Sequence, residues 1–137
     1  MRAMVLPDAL QEQLIAEARE AYPMECCGLI EGTITPEGWH AAALHGSKNL
    51  AADPAQNFLI DPQVHFALLR RLRGTDRAII GCYHSHPGGP GAPSERDGAE
   101  AMDDRLVWLI AGESQLNAWT FDAAARDFVP LRLCRSA

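Results

Sequence analysis

Two histidines, two serines and an aspartate fall within the fourteen residues His84-Ser-His-Pro-Gly-Gly-Pro-Gly-Ala-Pro-Ser-Glu-Arg-Asp97. Imidazole and carboxylate are the side chains that hold divalent metals, so the first question is whether these can meet. The preceding run, AIIGCYHSH, is nearly all apolar until the histidines and reads as a central strand. Side chains two apart on a strand share a face. His84 and His86 would then project together, their Cα atoms roughly 6.6 Å apart. Asp97 would add a carboxylate from the first turn of a helix following Ser94. Two nitrogens and one oxygen make three ligands and leave a position open for water, the pattern of a catalytic rather than a structural zinc site. Each piece also has a plain reading. His-x-His can be a polar pair at a strand end, Ser-x-x-Asp an ordinary cap, and the glycine-proline run a surface turn. It is their coincidence that points to chemistry.

The elements that must position these groups follow from periodicity. Leu10, Leu14, Ala18 and Ala21 share one helical face, so residues 8–21 are predicted as an amphipathic helix ended by Pro23. CCGLIEG reads as a buried strand followed by a turn, and GWHAAALH as a second strand. Residues 46–57 are expected to be irregular, and FLI a short strand. Asp61-Pro62 marks a helix start, with the helix running to Arg73 and closed by Gly74. RLVWLIAG and QLNAWTF pair through a tight turn at Gly112 and Ser114. FVPLRLC is a last strand, and Pro130 suits an edge. Helices interleaved with about six strands, some as hairpins, predict an α/β domain with a mixed central sheet flanked by helices.

Composition narrows the function. The 137 residues carry a formal net charge of −6, which argues against a nucleic-acid partner. No apolar run approaches the ~20 residues of a membrane span, and the N-terminus turns polar too early for a signal peptide. A cytoplasmic protein without membrane association is expected. Cys26, Cys27, Cys82 and Cys134 form no C-x-x-C pair and read as reduced core residues, with a Cys–His nucleophile as the rival.

His84-Ser85-His86-Pro87, the seven-residue gap to Ser94, and Ser94-x-x-Asp97 resemble the metal motif of the JAMM (MPN+) zinc metallopeptidases. PMECCGLIEG resembles the family's upstream glutamate segment and puts that glutamate at Glu25. Asn49, Phe58-x-Ile60-Asp61-Pro62 and RLVWLIAG are similar to small bacterial members. The resemblance covers nearly the whole chain, residues 1–137, and implies one JAMM/MPN domain of cytidine-deaminase-like architecture. It also implies Zn²⁺ held by His84, His86 and Asp97, with Glu25 moving the proton of the attacking water. Ser94 would cap the helix and donate to the oxyanion. The implied partner is a ubiquitin-like protein ending in Gly-Gly. The implied reaction is trimming of a sulfur-carrier precursor, with isopeptide removal from target proteins as the alternative.

Cys82 and Cys27 would lie beneath the site by alternation, and Ser85 would point away from it. Arg96 would sit near substrate, and Phe58 and Ile60 would line a peptide groove. His40, His45 and His65 carry no signal. Open strand edges would allow a homodimer. An inactive MPN scaffold lacks metal residues that this chain has. A non-haem iron oxygenase shares the two-histidine, one-carboxylate triad but not the glutamate base. Zinc deaminases require a Pro-Cys-x-x-Cys segment that is absent here.

Overall fold

The computed structural model describes residues 2–95, 97 and 105–136. Helix α1 spans Asp8–Ala21, with Asp8 in the first turn and Arg19 in the last, both favourably placed on the helix dipole. Leu14 is fully buried on its inner face, and Leu10, Ala18 and Ala21 pack around the same core. The helix ends where Tyr22 donates to the Ala18 carbonyl and Pro23 has no N–H to continue.

Strands β2 (Cys27–Thr35) and β3 (Gly38–Ser47) form an antiparallel hairpin. The turn expected after Gly32 is not there, and β2 runs on to Thr35. The reason is a bulge: the register of β2 shifts at Glu31 against both neighbours. A side chain at Gly32 would collide with the His40 carbonyl, so this glycine serves close backbone approach inside a strand.

The segment FLI is not a strand. Only Ile60 makes an isolated bridge, to Asn49. The Asn49 side chain does the ladder's work, accepting from Leu59 N (3.0 Å) and donating to the Asn57 carbonyl (2.8 Å). Helix α2 (Pro62–Leu72) begins as expected, with the Asp61 carboxylate accepting from Gln63 N at 2.9 Å and proline in the first turn.

Strand β4 (Ala78–Ser85) lies between β2, antiparallel, and β5 (Val107–Ala111), parallel. Strands β6 (Leu116–Asp122) and β7 (Asp127–Cys134) continue the meander. A three-residue strand that carries no sequence signal, β1 (Ala3–Val5), pairs in parallel with both β3 and β7. It makes a seventh strand and closes the mixed sheet into a barrel, β1-β3-β2-β4-β5-β6-β7, where a central sheet with open edges was expected. The edge premise for a homodimer is thereby removed over the paired stretches. Beyond β1's reach, Gln13 of α1 donates to the β3 carbonyl of Leu44 at 3.2 Å. Pro130 pairs with Trp119 on one side and precedes Arg132, where β1 contact begins, so its missing N–H disturbs nothing there.

Alternation along the strands separates two cores. Ile30, Tyr83 and Leu109 join Met4, Leu14 and Trp39 in the larger one, on the α1 side. Cys27, Cys82 and Trp108 face the other way, into a smaller aromatic cluster with Phe58, Phe121 and Phe128. Among the described residues no helix is long and apolar enough to cross a membrane.

Candidate metal centre

The smaller cluster leads to the histidines. His84, opposite Cys27 in the β2–β4 register, is fully buried. Its ring stacks on Phe58, with centroids 4.3 Å apart and planes 19° apart, and meets the edge of Trp108 at 5.8 Å. Phe58 is therefore a buried wall behind a histidine, not the groove lining expected of it, and Ile60 packs on the same cluster. His86 lies one residue past β4, its backbone N–H held by the Ala111 carbonyl of β5 at 2.8 Å.

Asp97 is buried and brought in by reciprocal hydrogen bonds with Ser94. Asp97 N donates to Ser94 Oγ (3.1 Å), and Ser94 N donates to Asp97 Oδ2 (2.9 Å). The expected cap is thus present, and the hydroxyl proton of Ser94 is not used in it. Glu95 and Asp97 are helical; the remainder of the helix expected after Ser94, and Arg96 with it, lies outside the described residues.

Three atoms converge. His84 Nε2 and His86 Nε2 are 3.0 Å apart, and Asp97 Oδ2 lies 3.2 Å from the first and 3.3 Å from the second. A tetrahedral cation with bonds of about 2.0–2.1 Å holds neighbouring ligand atoms ~3.3 Å apart. The triangle therefore fits one small divalent ion. Glu25 stands beside it, with ligand atoms of Glu25, His84 and His86 all within 4.8 Å of one another.

Glu25 precedes β2 and is fixed through its backbone. Its N–H donates to the Pro54 carbonyl (2.8 Å), and its carbonyl accepts from Asn49 Nδ2 (3.1 Å). The next residue is sewn to β4: Cys26 N donates to Ser85 Oγ (2.8 Å) and Ser85 N to the Cys26 carbonyl (3.1 Å). Ser85 points away from the centre, as alternation predicts, and serves as this seam.

Electrostatics describe the same demand for a cation. Burial would raise the Asp97 pKa, but its contacts with both histidines and the Ser94 N–H overcome it and hold the carboxyl well below its usual range. Burial lowers His84. Burial also works against charge on His86, yet the Asp97 carboxylate and the Pro90 carbonyl outweigh it and raise its pKa. Among the described residues the buried Nδ1 atom of His84 has no hydrogen-bond partner, and the polar contacts of that ring lie on the Nε2 side. Burial works against a nucleophilic thiolate at Cys26, Cys27 and Cys82. Burial pushes Cys26 up to about 11 and Cys27 and Cys82 up to about 12, which disfavours thiolate. All four cysteines are free.

Two polar residues near this centre carry no sequence signal. Asn117 and Trp119, two apart on β6, both donate to the Gly91 carbonyl in the loop between His86 and Ser94. Only the topology brings β6 under that loop. His45, which looked inert, pairs with the buried Glu31 at 2.8 Å in a separate cluster.

Residues 7–122 match the family described as prokaryotic homologs of the JAB domain. A protein named desampylase from Haloferax volcanii is 29% identical over 119 residues, covering 82% of this chain and 84% of its own. A probable TtuB-protein conjugate cleaving protease from Thermus thermophilus is 31% identical over 85% of this chain and 74% of its own. Tail tip assembly protein K of Escherichia phage N15 is 32% identical, but the match spans only 37% of that longer protein. The solution structure of a Desulfitobacterium hafniense protein superposes with a TM-score of 0.82 at 24% identity, covering 95% of this chain and 90% of that one. A Salinibacter ruber protein gives 0.71 at 28% identity, covering 98% and 91%. The motif, the barrel and these matches agree: the chain belongs to the prokaryotic JAB-domain family, the JAB/MPN group that its sequence resembles.

Proposed function

We propose that residues 1–137 form a single cytoplasmic zinc metallopeptidase domain. It hydrolyses the bond that follows the C-terminal Gly-Gly of a ubiquitin-like protein. The observation that carries this reading is the convergence of His84 Nε2, His86 Nε2 and Asp97 Oδ2 at 3.0–3.3 Å, with the Glu25 carboxylate alongside. Two imidazoles and one carboxylate suit zinc and leave room for a water. Zinc bound there would polarise the scissile carbonyl and bring the pKa of a bound water to about 7.

The protein's own groups do the rest. Glu25, anchored through its backbone to Pro54 and Asn49, takes a proton from the attacking water as its oxygen adds to the carbonyl carbon. As the C–N bond breaks, Glu25 returns that proton to the leaving amine. Ser94 keeps its hydroxyl proton for the oxyanion while its oxygen caps Asp97 N. Asp97 Oδ2 is held in place by the Ser94 N–H. The relative named as a conjugate-cleaving protease favours isopeptide removal from target proteins over trimming of a sulfur-carrier precursor.

Two measurements test this. Purified protein is expected to hold about one zinc per chain, and Asp97→Ala to lose it. The wild type is expected to cleave a ubiquitin-like protein joined through Gly-Gly to a lysine side chain, and to cleave a linear Gly-Gly extension more slowly. Absence of zinc uptake on titration would sink the peptidase reading, and a preference for the linear substrate would restore the trimming role.

A further inference from the structure

We propose that Asn117 and Trp119 are positioning residues that aim the His86 ring through the Gly-Pro loop. The zinc-binding consequence rests on the function proposed above; the aiming of the ring does not.

Four hydrogen bonds pin the loop after His86. Gly89 N donates to the His86 carbonyl at 3.0 Å, and Glu113 N donates to the Gly89 carbonyl at 2.8 Å. Asn117 Nδ2 (3.0 Å) and Trp119 Nε1 (3.1 Å) then converge on the single Gly91 carbonyl oxygen. The peptide immediately before Gly91 carries the Pro90 carbonyl, which faces His86 Nδ1 at 3.1 Å. A carbonyl can only accept, so this contact favours the proton on His86 Nδ1. In the neutral ring that leaves the Nε2 lone pair directed at His84 Nε2 and Asp97 Oδ2. Proline has no N–H of its own to anchor this stretch, so the two side-chain donors hold the next peptide, Gly91–Ala92, and through it fix Gly91, to which the Pro90 carbonyl is joined.

Sequence and packing support a fixed loop. Asn117 pairs with Ile110 and Trp119 with Trp108 in the β5–β6 ladder, so both donors sit on a paired strand, not on a mobile tip. Gly91 is buried. A Cβ there would stand 3.0 Å from Asn117 Nδ2, 3.0 Å from the Gln115 carbonyl and 3.2 Å from the Ile110 carbonyl. At Gly112 an added Cβ would collide with the backbone of Pro90 and Gly91. Glycine at both positions lets the loop seat against β5 and β6 closely enough for the two donors to reach it.

The test uses Asn117→Leu, Trp119→Phe and the double variant, which keep bulk and remove the donors. Gly91→Ala displaces the same peptide from the loop side. The first readout needs no metal: ring ¹⁵N shifts of His86 in the zinc-free protein, at a pH where the ring is neutral. The wild type is expected in the Nδ1–H tautomer. Each single variant keeps one donor and stays close to it, while the double variant and Gly91→Ala become mixtures of both tautomers. The second readout is zinc affinity, which should fall roughly 10–100-fold in those two variants, the usual effect of losing a group behind a metal ligand. Tyr83→Phe, which breaks a 2.8 Å bond to Glu17 on the other core, serves as a control for general loss of stability and should leave tautomer and affinity unchanged. If both the double variant and Gly91→Ala keep a single Nδ1–H tautomer, the proposal is wrong. A wild type that takes up no zinc removes the metallopeptidase reading instead, and the tautomer result then stands alone.

Discussion

Glu31 and Asp97 are both buried carboxylates in contact with histidines, and they use those contacts differently. Glu31 and Asp97 are 6% and 5% exposed. Glu31 divides its oxygens: Oε1 meets His45 at 2.8 Å, and Oε2 meets Arg77 at 2.9 Å. Arg71 backs the same histidine at 3.3 Å. The guanidinium is a permanent cation, so the carboxylate is neutralised at every ordinary pH. Asp97 instead directs one oxygen, Oδ2, at two imidazole nitrogens and a backbone N–H. Its contacts to the rings are longer, and the ring nitrogens crowd each other at 3.0 Å. Divided oxygens with a fixed cation make a strut from β2 to β3 and to the residue just before β4. A converged oxygen facing two imidazole nitrogens, with no fixed cation against it among the described residues, makes a seat for one.

The largest effect that separates the two clusters is expected at Glu25. Glu25→Gln should lower turnover about 10²–10⁴-fold, the range for losing a general acid–base, while zinc content stays as in the wild type. If zinc is lost with activity, Glu25 is a ligand and the centre has a different composition. Ser94→Ala comes next. Loss of an oxyanion donor costs about 2.7–4 kcal/mol in the transition state, and loss of a cap costs ~1 kcal/mol of stability. Comparing kcat with the melting temperature separates the two roles, and a thermal shift with wild-type turnover would leave Ser94 as a cap alone.

The Asp97 cluster was legible in the sequence because its parts are local. His84 and His86 share a strand face by alternation, and Ser94 with Asp97 is a cap at fixed spacing. Glu25 has no such local signature; it emerged from the family resemblance, and its closeness to His84 depends on β2 pairing with β4. The Glu31 cluster was unreadable for the same reason, since its partners come from β3, α2 and the approach to β4. Gly32 misled as a turn because a glycine at a bulge and a glycine at a turn look alike in sequence. FLI misled because Asn49, several residues away, supplies the hydrogen bonds that a strand partner would have given. Strand β1 is three residues long, below any periodicity, yet it closes the barrel.

The smallest effect sharpens the contrast from the other side. Arg77→Met removes the fixed cation and leaves Glu31 with His45 alone. It should cost about 1–3 kcal/mol of stability, the range for leaving a buried acceptor partly unsatisfied, and should leave zinc content and turnover unchanged. The pH dependence gives the sign. Arg77, and after it His45, hold Glu31 below its ordinary value of 4.5 against the opposing effect of burial. A carboxylate with a lowered folded-state pKa contributes stability that is complete above the unfolded value and is lost as pH falls through the folded one. The wild type should therefore lose stability on acidification below about pH 4.5, and Arg77→Met should show a shallower acid limb because less of the shift remains to be lost. Denaturant melts of the two proteins across that range, taken without zinc, measure the difference. Equal slopes would mean that His45, not Arg77, is what neutralises Glu31, and the strut would then depend on a titratable group just as the Asp97 cluster does.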